Sequence, residues 1–424
     1  MTWFAGLLIL FGLSVPIAVG LIAIGLGFLT FDGRIDQLIA AQRVATGIDN
    51  FALTAIPFFL LAAELMNRTG ITDRIFHLAN CLLGRVPGGL GYVNVGASML
   101  FASMSGSAVA DAVGLGRIEI RAMTQAGYDR DFSAAVTAAS TTIAPILPPS
   151  ISLIIFGVTS GASIGGLFLG GILPGLLMGL ALMVVIYLHV RRRNYPPGPK
   201  IPGREILCAA AGAFWPLMMP VIIVGGIWTG IFTPTEAGAC AVLYALALGL
   251  AYGTLKWGDI VSTLFESALA SANILFIIAA SALIAWLLTM GQVPLHFAAV
   301  ILDLSPNPYV FLLFLNLLLL VLGCFMAAAP VIIMVTPIIL PAAVAMGLDP
   351  IHLGVVMVLN LMIGLITPPV GLCLFAVAEV ASISPLRLIR ALLPFFVPLL
   401  ASLLLITLFP GLVLFVPRLF GFAN

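Results

Sequence analysis

Apolar stretches of about 20 residues, the length one α-helix needs to cross a bilayer, recur from one end of this chain to the other. In hydrocarbon every backbone polar group must be satisfied internally, so repeated runs of this kind demand a bundle of helices. Charged residues make up only 8% of the 424 positions, and hydrophobic ones 62%. Soluble domains carry about 25% charged residues. A water-facing surface cannot be clothed with so few. Membrane segments are expected near 3–29, 49–66, 131–160, 166–190, 209–231, 235–254, 269–290, 351–380 and 391–416. No basic region precedes the first apolar run, so 3–29 is expected to be a retained segment and not a cleaved signal. The net charge of +1 implies no polyanionic partner.

Several chemistries are disfavoured at once. Cys81, Cys208, Cys240, Cys324 and Cys373 form no CxxC pair and read as small buried thiols. His77, His189, His296 and His352 are scattered and form no HExxH cluster. Without a GxxxxGK[ST] loop the chain is not expected to hydrolyse ATP, and without a clustered acid–base set it is not expected to be an enzyme.

Two further apolar regions, 88–122 and 306–346, are interrupted near their middles, by Ser103-Met-Ser105-Gly106-Ser107 and by Gly323-Cys-Phe-Met326-Ala-Ala-Ala-Pro330. Each reads as a re-entrant helical hairpin, a form that survives only inside protein or along a wet cavity. Arg85, Arg117, Arg121, the basic loop at 191–206 (Arg191, Arg192, Arg193, Lys200, Arg204), Arg387 and Arg390 place their segments on the cytoplasmic side. The second hairpin is flanked by Asp303 and Asp349 and no basic residue, which places its flanks outside. A shift of 220 residues carries Gly127-Tyr-Asp129 onto Gly347-Leu-Asp349, Pro148-Pro149 onto Pro368-Pro369 and Leu173-Pro174 onto Leu393-Pro394. Chance among apolar residues does not explain rare features at fixed spacing. The expected fold is therefore all-α and polytopic, with inverted repeats at 1–190 and 207–424, each holding one hairpin and one broken helix (131–160 and 351–380).

The candidate chemistry lies at the interruptions. Paired prolines unwind a helix and free its carbonyls, which suit a small hard cation, while the restarting half-helix offers N–H groups to an anion. One sodium site is expected from Ser103, Ser105, Gly106 and Ser107 with Thr142 and Pro145. Its repeat mate is expected from Gly323 and Met326 with Gly364, Ile366 and Thr367. Substrate binding or gating is assigned to Ser105, Ser107, Asp111, Pro149, Ser150, Asn360 and Thr367. Asp111 carries special weight, because an acid inside a membrane marks function by default. Small-residue packing is the competing reading for the serines. Glu236 reads as a helix-dipole partner, and Glu64 as a solvated acid near a helix end.

Ile56-Pro-Phe-Phe-Leu60 with Glu64, Ser105-Gly-Ser-Ala-Val-Ala-Asp111, Pro148-Pro-Ser150, Phe232-Thr-Pro-Thr-Glu236 and Gly364-Leu-Ile-Thr-Pro-Pro-Val-Gly371, in this order, resemble the large membrane subunit of the tripartite ATP-independent periplasmic (TRAP) transporters. The resemblance runs through almost the whole chain. It implies an elevator-type fold in the bacterial inner membrane and sodium-driven uptake of a small carboxylate. It also implies two partners: a small four-helix membrane subunit, expected as a separate polypeptide, and a periplasmic substrate-binding protein. Ala327, Ala328 and Ala329 depart from the small polar residues expected at the second tip. A stand-alone sodium/dicarboxylate symporter of related fold is the alternative within this class. A membrane enzyme and a non-transporting assembly protein are the alternatives outside it. The substrate is left open among C4-dicarboxylates, sialic acid, keto acids and other small carboxylates.

Overall fold

The structure, a computed structural model, describes residues 15–32, 36–193, 195, 198, 201–293, 296, 299 and 307–423. Every regular element among them is a helix. Helices α1 (Ile17–Asp32) and α2 (Leu38–Thr46) lead into α3 (Ala55–Arg68) and α4 (Ile71–Leu83). The first hairpin is α5 (Gly89–Ser105) and α6 (Ala108–Val113), followed by α7 (Leu115–Gln125). The first broken helix has halves α8 (Arg130–Ser140) and α9 (Ile151–Ser160). Four long helices follow: α10 (Ile164–Arg193), α11 (Gly203–Trp228), α12 (Pro234–Ala251) and α13 (Trp257–Met290). The second hairpin is α14 (Pro308–Phe325) and α15 (Ala328–Ala345), and the second broken helix α16 (Pro350–Gly364) and α17 (Leu372–Val380). The described chain ends on α18 (Pro385–Leu408) and α19 (Gly411–Leu419).

Among the described residues, eight helical stretches are long and apolar enough to span a membrane: 51–68, which includes α3, together with α10 to α15 and α18. Their starts are written in local chemistry. Pro234, Pro308, Pro350 and Pro385 each open a helix where a missing N–H costs nothing. Ahead of them Asn307 and Asp349 cap the exposed backbone donors. Glu236 closes a capping box with Thr233, which fits its expected place at a helix start.

The centre of the molecule is made of half-helices. In α16 every residue from Ile351 to Gly364 is buried, and in α8 every residue from Phe132 to Ser140. A helix buried on all sides must be walled in by others. Around α8 stand α5, α7 and α18; around α16 stand α10, α14, α15 and α18. The same backbone events recur 220 residues apart. Gly127 and Gly347 turn with φ of 84° and 77°, Asp129 and Asp349 cap the next helix, and the peptide bonds Pro148–Pro149 and Pro368–Pro369 are both cis.

Some expectations differ from what is observed. The N-terminal part of the 3–29 segment, Lys200 and Asp303 lie outside the described residues. The second limb of the first hairpin is not one helix but is interrupted at Gly114, after which α7 runs as an amphipathic helix. Both limbs of the second hairpin are 18 residues long, about 27 Å at 1.5 Å per residue, so length alone does not force them to turn back. The last segment splits at Pro410, whose ring cannot continue the helix. Helix α13 begins at Trp257, well before 269, because Asp259 and Glu266 lower the hydropathy of a helix that is nonetheless continuous. Cys208 is exposed and not a buried thiol. The histidines are not all isolated: the ligand atoms of His77, Cys81 and Glu205 lie within 4.8 Å of one another, joining α4 to α11.

Candidate functional site

Each hairpin tip abuts the helix break that follows it in the chain. At the first tip α5 ends on Gly106 in the left-handed region, φ 57°, which a glycine adopts without penalty. A Cβ there would stand 2.4 Å from the Pro149 carbonyl oxygen, so tip and break are in backbone contact. At the second tip Gly323 packs on Gly364; a Cβ on Gly364 would lie 2.7 Å from the Gly323 Cα. The Gly371 N–H donates to the Cys324 carbonyl at 3.0 Å, fastening that tip to the restart of its broken helix.

The first tip holds the charged chemistry. The Ser105 hydroxyl donates to Asp111 Oδ1 at 2.5 Å. Asp111 is fully buried, and its Oδ2 has no hydrogen-bond partner. A buried carboxylate oxygen left without a donor is costly and marks a place where a positive charge or proton donor is wanted. Ser107 is extended, caps α6 by accepting from the Ala110 N–H at 3.4 Å, and has its own N–H 3.5 Å from Ser105 Oγ. Ser103 is turned away from this group. Its hydroxyl donates to the Leu100 carbonyl at 2.6 Å, and it lines a separate cleft of about 550 Å³ with Met99, Pro148 and Trp228.

The first break, 141–150, is buried at every residue. The Thr142 hydroxyl donates to Ala139 O at 2.7 Å. Ser150 binds in both directions: it accepts from the Leu153 N–H at 3.1 Å, capping α9, and donates to the Pro145 carbonyl. At the second break Ile366 is buried, Thr367 is half-buried with its hydroxyl on Ile363 O at 2.7 Å, and Pro369 and Val370 are exposed. Met326 is extended and buried beside the tip. Asn360 does not reach toward the tip by hydrogen bonding. It donates to Asn316 Oδ1 at 2.8 Å and to the Asn316 carbonyl at 2.9 Å, tying α16 to α14, while its own Oδ1 has no partner.

Behind the first break lies a buried polar cluster that the sequence reading missed. Asn94 and Ser98 of α5, Glu119 of α7, and Thr137 and Ser140 of α8 are each no more than 1% exposed and are joined by hydrogen bonds. Glu119 stands between Arg117 and Arg121, both exposed, so in sequence it looks like one more charge of a water-facing turn. The available signal was the period of α7, where Leu115, Glu119 and Met123 share one buried face. Glu64 is half-buried beside Arg68, which pairs with Glu266 at 2.7 Å.

Comparison with known proteins places this geometry in context. Residues 3–412 match the family model described as the tripartite ATP-independent periplasmic transporter, DctM component. The sialic acid TRAP transporter large permease protein SiaM of Vibrio cholerae is 45% identical, over 96% of both chains. The C4-dicarboxylate TRAP transporter large permease protein DctM of Pseudomonas aeruginosa is 39% identical over 88% of both. In fold the chain is similar to the YdaH transporter of Alcanivorax borkumensis, with a TM-score of 0.64, 16% identity and 87% of each chain covered.

Proposed function

Because the chain belongs to the DctM family of TRAP transporter large permeases, multi-pass proteins of the bacterial inner membrane, we propose that it imports a small organic acid by coupling it to sodium. The observation that carries this reading is the pairing of each hairpin tip with a helix break in the same repeat. Two such pairs at equivalent positions support an inverted-repeat layout, in which discontinuous helices meet around a site. On this reading one half of the molecule slides against the other as an elevator.

Sodium is the substrate that fits the first pair. Ser105 and Ser107 offer hydroxyl oxygens, the break at Thr142 and Pro145 offers carbonyls, and Asp111 offers a buried oxygen that lacks a donor. A hard cation takes oxygen ligands of this kind. The second pair, Gly323 and Met326 with Gly364, Ile366 and Thr367, offers backbone carbonyls and one hydroxyl and no charge. The carboxylate is assigned to the restart of the first broken helix, at Pro149 and Ser150, where the dipole and first-turn N–H groups of α9 favour an anion. Asn360 holds the second break in place and is a framing residue on this reading. The relatives named above carry sialic acid or C4-dicarboxylates by their descriptions, which supports a small carboxylate as the class of cargo. A periplasmic binding protein delivers it, and a small four-helix membrane subunit completes the carrier.

Reconstitution into vesicles tests the proposal. Uptake is expected only with all three components and an inward sodium gradient. Robust sodium-driven uptake by this chain alone would instead establish the stand-alone symporter. Uptake by the complete system that ignores sodium would overturn the coupling. The cargo is identified by thermal shift of the binding protein against a panel of carboxylates.

A further inference from the structure

The buried cluster behind the first break closes on itself. Asn94 Nδ2 lies 2.7 Å from Thr137 Oγ1, and Thr137 Oγ1 lies 3.4 Å from Glu119 Oε2. Glu119 Oε1 lies 3.4 Å from Ser98 Oγ, Ser98 Oγ 3.0 Å from Ser140 Oγ, and Ser140 Oγ 2.9 Å from Asn94 Oδ1. Five residues thus make five contacts in a ring, and each contact needs one proton.

The supply of protons can be counted. Ser98, Thr137 and Ser140 bring one hydroxyl proton each. Asn94 brings one N–H to the ring, its amide nitrogen also facing the Met123 sulfur at 3.7 Å. That makes four protons for five contacts, and the fifth can come only from Glu119. Exchanging the oxygen and nitrogen of the Asn94 amide reverses the direction of the ring and leaves the count unchanged. An ionised Glu119 would strip the proton from one contact. If Ser98 turned to the carboxylate, the shorter Ser98–Ser140 contact would hold two facing lone pairs. If Ser140 turned to the Thr137 carbonyl, 3.0 Å away, Asn94 Oδ1 would lose its donor.

Among the described residues neither of the ion pairs Arg68–Glu266 and Arg387–Asp131 involves Glu119. The charged groups on the packed elements are Asp111 on α6, Arg117 and Arg121 on α7 itself, Arg130 and Asp131 at the start of α8, Glu379 on α17, and Asp73, Arg74 and His77 on α4. Helix α5 carries none. Asp111 is the buried member of this set, and it has the same sign as an ionised Glu119.

We propose that Glu119 is a positioning residue that holds a bound proton throughout the transport cycle, its neutral carboxyl completing the ring that joins α5, α7 and α8. The ring makes the first hairpin and the first half of the broken helix one rigid piece. It leaves Asp111 as the buried negative charge of that piece, free to balance a cation at the tip, while Asp131 at the start of α8 is paired with Arg387. The proton at Glu119 is structural and is not the coupling ion. The geometry stands apart from the transporter reading, which supplies only one of the two assays.

The first assay is infrared spectroscopy of the purified chain, which needs no transport. A protonated-carboxyl C=O band, present between about pH 6 and 8, is expected to vanish in Glu119→Gln; an ordinary glutamate is ionised across that range. The second assay is uptake in the three-component system. Glu119→Gln supplies one donor and one acceptor, and is expected to keep roughly half or more of the wild-type rate with the same sodium curve and pH profile. Glu119→Ala opens the ring and is expected to lose about tenfold or more, as buried partners left without their bonds are costly. A difference spectrum without that band overturns the bound proton even where Glu119→Ala does not fold. A Glu119→Gln variant as impaired as Glu119→Ala, or with a shifted sodium or pH dependence, overturns the positioning role.

Discussion

At the scale of single residues, Asp111 is the position where the structure leaves most undone. One carboxylate oxygen is bound by Ser105 and the other is buried with nothing on it. Asp111→Asn replaces a group suited to a cation with one that is neutral, and uptake in the complete system is expected to fall at least about tenfold, because a lost charge-assisted bond in a buried site costs about 1.5–3 kcal/mol. Ser107→Ala removes one neutral oxygen from the same tip. Its half-maximal sodium concentration is expected to rise about three- to tenfold with the protein still folded, as one hydrogen-bond-strength interaction is worth about 0.5–1.5 kcal/mol. A sodium titration of uptake measures both, and an unchanged curve for both would leave these residues as packing only. The two buried acids show what a sequence reveals and what it withholds. Asp111 is legible because it follows a hydroxyl-rich run inside an apolar stretch. Glu119 is not, because its burial depends on which face of α7 turns toward α8, a fact of tertiary packing.

At the scale of elements, the tip-to-break contacts are backbone on backbone and leave no room for adjustment. Gly106→Ala adds a methyl 2.4 Å from the Pro149 carbonyl and forces a positive φ on a residue that resists it. Gly364→Ala drives a methyl into the Gly323 Cα at 2.7 Å. Both are expected to cut uptake at least about tenfold, and to lower the thermal midpoint by a few degrees, since overpacking typically costs about 1–3 kcal/mol. Gly258→Ala, in open space, is the control and is expected to change neither. The breaks could be placed from Pro148–Pro149 and Pro368–Pro369 because proline acts locally, through its fixed φ and missing donor. The shared Gly-x-Asp starts were legible for the same reason, each being a turn followed by a cap. The early start of α13, the interruption at Gly114 and the Asn94–Ser140 and Asn316–Asn360 links were not. They depend on neighbours that hydropathy along one strand of sequence does not contain.

At the scale of the whole molecule, orientation in the membrane follows from where the basic residues sit. In a background lacking Cys208 and Cys240, and so keeping only the buried Cys81, Cys324 and Cys373, a cysteine introduced at Asn307 is expected to react with an impermeant thiol reagent added from outside, and one at Arg193 is not. The opposite pattern would reverse the layout. The burial of α8 has a consequence for how the protein is made. It carries Ser133, Thr137 and Ser140 and is not among the apolar helices, while α9 has ten residues and α16 fifteen. None is by itself both long and apolar enough to span a membrane. The first strong stop after α8 and α9 is α10, with mean hydropathy 2.4, and after α16 it is α18, with the same value. Each broken helix is therefore expected to settle fully only once the span behind it has been synthesised. A nascent chain halted near residue 160 would present its polar centre to water and to proteases, so quality control of this permease is expected to discriminate by the segment that in the finished protein is the least accessible.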